Sequence, residues 1–148
     1  MAVKHAVDNE QRLFVTYYSG AVTESDVRSA ISALEGLVNK EGTYRELVIF
    51  KRGVDLSALD RPALNELRQE IKDAYHRHGL RRGESAAVVD TALEAQMIVP
   101  LWNALCATDP GMDLGFTIFS EVAPALAFLA VPADVAARVA ALTAPDRR

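Results

Sequence analysis

The chain has 148 residues, 50 % of them hydrophobic and 24 % charged, enough for one domain whose core needs no disulfide or metal. A single cysteine, Cys106, excludes a disulfide within the chain and any multi-cysteine zinc site. The net charge is −4, a poor start for neutralising phosphates, so no nucleic-acid partner is expected.

The opening Met1-Ala2-Val3-Lys4-His5 carries no apolar signal stretch, and a cytoplasmic location is expected. Ala2–Val7 and Leu13–Tyr18 flank the polar Asp8-Asn9-Glu10-Gln11 and read as a hairpin. Its second strand alternates Leu13, Val15 and Tyr17 with Phe14, Thr16 and Tyr18, apolar on both faces and hence central. Thr23 with Asp26 is close to a capping box, and Val27, Ala30, Ile31, Leu34, Leu37 and Val38 make one helical face behind it, ending near Asn39 to Gly42. Glu46–Phe50 is a second core strand. After the loop Lys51–Leu59, Asp60-Arg61-Pro62 opens a helix with the stripe Leu64, Leu67, Ile71, Ala74 and Tyr75, closed by Gly79.

Ser85–Val89 reads as a short buried strand, and Asp90 or Thr91 caps a helix running to about Ala107. Leu114–Phe119 is the last strand, with Ser120 as the next cap. The stretch from Val122 to Leu142 is apolar, but Pro124, Pro132, Asp134 and Arg138 exclude a membrane span. Two short helices, Ala125–Ala130 and Pro132–Leu142, fit it better. The order ββαβαβαα implies one α/β domain over residues 1–142, with a loose tail from 143 to 148. Its sheet of about five strands is mostly parallel with an antiparallel edge hairpin.

Four pieces carry a resemblance: Arg12-Leu13-Phe14-Val15-Thr16-Tyr17, Gly20-Ala21-Val22-Thr23, Arg52-Gly53-Val54-Asp55-Leu56-Ser57 and the run from Phe119 to Leu129. Over about Leu13 to Leu129 the chain resembles the SpoIIAA-like family, a bacterial relative of the STAS domain, the fold of anti-sigma-factor antagonists. The resemblance implies a STAS-like domain that is not an enzyme and works by contact with regulatory protein partners or apolar ligands. It also implies a phosphorylatable serine at the start of the helix after the second core strand. The usual Asp-Ser pair there is replaced by Asp60-Arg61, and Lys51-Arg52 stands where Asp-Leu-Arg is common. Ser57, three residues early, is the regulatory candidate.

The residues themselves point to no catalytic group, cofactor or metal. No Gly-x-Ser-x-Gly elbow or Gly-rich phosphate loop occurs, and Cys106 lies in an apolar helix without a base nearby in sequence. Asp73 and His76 lack a third ligand. His76, His78, Arg81 and Arg82 form a basic cluster, either a weak anion patch or a helix end complementing its own dipole. The carboxyl edge of a parallel sheet would gather Ser19, Gly20, Lys51, Arg52, Ser57, Asp60, Asp90, Thr91 and Ser120, several of which capping alone explains.

The helix from Thr91 to Ala107 is apolar over an arc much wider than ~100°. Leu93, Met97, Leu101, Ala104 and Leu105 make a core stripe. Ala95, Ile98, Val99, Trp102 and Cys106 make a second one, read as an interface or an apolar pocket, and Pro100 is expected to kink the helix. The leading expectation is a self-associating regulatory module, a homodimer. The rival is a carrier or sensor of an apolar, lipid-like ligand held under this helix.

Overall fold

Strands and helices alternate along the chain in the computed structural model, which describes residues 2–36, 42–89, 92–108 and 114–143. β1 (Val3–Asp8) and β2 (Leu13–Tyr18) form the antiparallel hairpin, with Val3 opposite Tyr18 and Asp8 opposite Leu13. β2 then pairs in parallel with β3 (Gly42–Phe50), β3 with β4 (Leu80–Val88) and β4 with β5 (Thr117–Phe119), so the strands lie side by side in chain order. The helices are α1 (Glu24–Glu35), α2 (Arg61–His78), α3 (Leu93–Ala107), α4 (Val122–Phe128) and α5 (Ala133–Thr143). This is a small α/β domain with a mostly parallel five-stranded sheet, as expected.

The alternation in β2 sets the layers, because successive side chains leave a strand on opposite faces. β2 is buried along its whole length. Leu13, Val15 and Tyr17 share a cluster with Leu47, Ile49, Ala86 and Val88 of the sheet, Ala125 of α4, and Val135 and Val139 of α5. Phe14, Thr16 and Tyr18 face the other side, under α1, α2 and α3.

Local chemistry fixes the helix ends. The Thr23–Asp26 capping box forms in full, with Asp26 N donating to Thr23 Oγ1 at 3.3 Å and Thr23 N donating to Asp26 Oδ2 at 2.8 Å. Asp60 caps α2 by accepting from Ala63 N at 2.9 Å, and Gly79 ends it in the left-handed region at φ 64°. Arg28 of α1 reaches both Glu66 and Glu70 of α2, tying the two helices together. Leu37, Val38, Asp90, Thr91 and the tail from 144 to 148 lie outside the described residues; α3 has Ala92 at its N-cap, with no side-chain cap bond, in place of the expected Asp90 or Thr91.

α1 ends at Glu35, earlier than expected, and the boundaries of three strands differ for a visible reason. β3 and β4 begin earlier than Glu46 and Ser85, because Thr43 pairs with Arg81 and Tyr44 with Arg82 ahead of a register shift between Tyr44 and Glu46. Gly83 is needed there: a Cβ would stand 2.8 Å from Thr43 Cγ2 and 3.2 Å from the Tyr44 carbonyl. β5 has only Thr117–Phe119, since side chains of α3 take the backbone groups that a longer ladder would use. Asn103 Nδ2 donates to the Phe116 carbonyl at 2.9 Å, its Oδ1 accepts from Phe116 N at 2.8 Å, and Trp102 Nε1 donates to the Leu114 carbonyl at 2.9 Å.

The apolar stretch after β5 splits as expected, but α4 starts at Val122 with Glu121, not Ser120, at its N-cap. It closes before Ala130, whose φ of 53° is left-handed. Among the described residues no helix is long and apolar enough to cross a membrane.

Candidate functional site

α1, α2 and α3 do not fill the space between themselves and the sheet. Between them lies a partly open cavity of about 130 Å³. Phe14, Tyr18, Val48 and Phe50 form its floor, because they alternate onto this face of β2 and β3. α1 contributes Ala30, Ile31 and Leu34, α2 contributes Leu64, Leu67 and Ile71, and α3 contributes Ile98, Val99 and Trp102. Beyond the carboxyl end of β3 the loop turns Leu56 and Leu59 inward onto the cavity. Glu94 on the first turn of α3 accepts from Leu56 N and holds that loop against the helix.

The opposite end is polar. Glu46 stands four residues back along β3 from Phe50, a distance of about 13 Å at ~3.3 Å per residue. It pairs with Arg82 of β4, with side chains only 13 % and 6 % exposed. Arg82 also donates from Nη1 to the Gly115 carbonyl at 2.9 Å and lies 4.4 Å from the Phe116 ring centre. Tyr18 and Tyr75 face the same low-polarity interior. Burial raises both phenols above their ordinary range, and the Glu46 charge adds to it in each case.

The second stripe of α3 is where the sequence reading and the structure meet. Ile98, Val99 and Trp102 line the cavity. Ala95, Val99 and Cys106 are buried, while Ile98 and Trp102 stay partly exposed. The stripe expected to be core divides: Leu105 is buried, but Leu93 and Met97 are 73 % and 76 % exposed. Both faces of this helix are apolar, so composition left its rotation about its own axis open. The bonds from Trp102 and Asn103 to the segment before β5 set that rotation. Pro100 sits on the exposed side of the continuous helix, where its missing N–H leaves no buried group unpaired.

The basic cluster is dispersed. His78 Nε2 lies 3.1 Å from Glu35 Oε2, His76 is exposed, and α2 ends before the two arginines. In β4, Arg81 points outward and Arg82 inward, as neighbours in a strand must, so the four residues form no single anion patch.

Ser57 is exposed on the loop after β3, between the inward-facing Leu56 and Leu59. Its Oγ donates to Asp55 Oδ1 at 2.6 Å and its N to the same oxygen at 3.0 Å, and these bonds hold the Asp55 carboxyl below its ordinary range. Asp55 N in turn donates to the Gly20 carbonyl at 2.8 Å, joining two of the rim segments. Asp60 is occupied as a helix cap.

Sequence reasoning missed the Glu46–Arg82 pair and the Tyr75 hydroxyl, since the pairing depends on a strand extension and a register shift. The one available signal was a charge, Glu46, next to an otherwise apolar run. Among the described residues no three His, Cys, Asp or Glu side chains gather as a metal site. Compared with protein-family models and with curated proteins, the chain matches none of them.

Proposed function

We propose that this protein is a non-enzymatic binding domain that holds a small, largely apolar molecule in the cavity beneath α3. The observation that carries this reading is the cavity itself, about 130 Å³ with a wall that is apolar except for Thr16, Glu46 and Arg82. Dry apolar cavities of ~150 Å³ take up benzene, whereas sites for drug-sized ligands run to ~300 Å³ or more. The size therefore favours a ligand of benzene class over the long-chain, lipid-like one that the sequence suggested. The resemblance to SpoIIAA-like proteins supports placing such a domain in a bacterial cytoplasm, as a regulator that responds to the bound molecule.

Trp102 is the chain's single tryptophan and lines the cavity, so its fluorescence reports occupancy directly. Titration with benzene should change it saturably with one-site stoichiometry. A strictly linear response, or none, overturns the reading.

A second reading, the self-associating regulatory module, is favoured by a different observation. Leu93 and Met97 lie one turn apart on the outer face of α3 and are the most exposed of its large apolar side chains. A second copy of the chain would cover them in a symmetric dimer. Sedimentation should then show a dimer that Met97→Glu converts to monomer. A wild-type monomer at high concentration ends this version.

A further inference from the structure

The chain has five Phe, four Tyr and one Trp, and half of these ten rings line the cavity. Phe14 and Tyr18 come from β2, Phe50 from β3, Trp102 from α3 and Phe116 from the segment before β5. On the floor, the Tyr18 and Phe50 rings stack with centres 5.5 Å apart and planes 21° from parallel. An aromatic ring is negative on its face and positive at its edge. A wall of rings therefore offers another ring offset-stacked or edge-to-face contacts that a saturated hydrocarbon does not make. Each such contact is worth about two- to tenfold in affinity beyond the area it buries.

The charged groups on the wall select against ions. Glu46 and Arg82 neutralise each other, and Arg82 also donates to the Gly115 carbonyl and lies over the Phe116 ring. A ligand carboxylate or ammonium would have to break that pair or stand unpaired against apolar side chains. Trp102 Nε1 is likewise taken up by the Leu114 carbonyl, so the indole meets the cavity as an apolar ring.

We propose that the ligand is an uncharged monocyclic arene, held between the floor rings of Phe14, Tyr18 and Phe50 and the indole of Trp102. This rests on the reading of the cavity as a binding site and names the ligand class within it. Its failure can be told apart from the failure of that reading.

Calorimetric titration of the full chain with benzene, cyclopentane and benzoate at pH 7 makes the distinction. Cyclopentane is about the size of benzene and less soluble in water, so a wall acting as plain hydrocarbon binds it more tightly. Contacts with several rings reverse that order. Wild type should bind benzene at one site, about threefold or more tighter than cyclopentane, and show no saturable heat with benzoate. Phe50 is partly buried at the end of β3, and Phe50→Leu keeps the wall apolar while removing one ring. The variant should weaken benzene about two- to tenfold and change cyclopentane by less than about twofold. Cyclopentane as tight as benzene or tighter on wild type overturns the arene, however the variant folds, and so does benzoate as tight as benzene. Equal losses of both hydrocarbons in the variant overturn it too, since Phe50 would then act through bulk alone. Saturable binding of either hydrocarbon in these cases leaves the cavity reading standing. If neither binds wild type, both fall.

Discussion

Ala30 sits on the inward face of α1 with its methyl on the cavity wall, so Ala30→Leu pushes three more carbons into empty space. The magnitude follows from the cavity. At ~24 cal/mol per Å³, a void of about 130 Å³ leaves roughly 3 kcal/mol of packing unrealised. Three buried carbons at ~0.8 kcal/mol each recover at most about 2.4 kcal/mol, and imperfect fit reduces that to about 1–2 kcal/mol. For a domain of this size each kcal/mol moves Tm by about 2–4 °C, so a rise of about 2–8 °C is expected. Thermal melts followed by circular dichroism measure it, and the variant should lose the benzene response of Trp102 at the same time. A fall in Tm with benzene response intact would refute the reasoning, because the added carbons would then have met packed atoms rather than the ligand's space.

Removing one partner of the Glu46–Arg82 pair strands a buried charge, so Glu46→Leu should cost about 3–5 kcal/mol in urea unfolding, and the double variant with Arg82→Met should recover most of it. Equal losses in single and double variants would show that the pair is not coupled. Ser57→Asp changes an exposed side chain and should stay within about 0.5 kcal/mol of wild type; a loss above about 2 kcal/mol would place the side chain in the packed loop instead. Burial lowers His5 below its ordinary 6.5, so the unfolded chain takes up its proton first as pH falls. Stability should therefore decline as pH drops below 6.5, and His5→Gln should flatten that part of the urea-midpoint profile; parallel profiles would contradict it.

The layers of the fold were legible because they rest on local chemistry. The Thr23–Asp26 box, the Asp60 cap with Pro62 behind it, Gly79 and the two-faced β2 each act within a few residues, and each stands where the sequence put it. What escaped depends on distant partners. The early starts of β3 and β4 pair Tyr44 with Arg82 in polar segments that carry no alternating pattern. β5 is shortened by Asn103, a side chain of another element. The inward residues of α3 were singled out as a group, but their apolar neighbours on the other stripe concealed which way the helix turns. The cavity is legible in no single segment, since it is the volume that three strands, three helices and the loops between them fail to fill. Its polar end needed the β3–β4 register before it could be recognised.

The most direct test of the central claim is a set of intermolecular nuclear Overhauser effects from bound benzene to assigned methyl groups. A ligand in the cavity should give effects at once to Ile31 of α1, Leu67 and Ile71 of α2, and Ile98 and Val99 of α3, methyls that share no common surface outside it. Effects confined to the exposed Leu93 and Met97, or none at saturating benzene, would contradict the account.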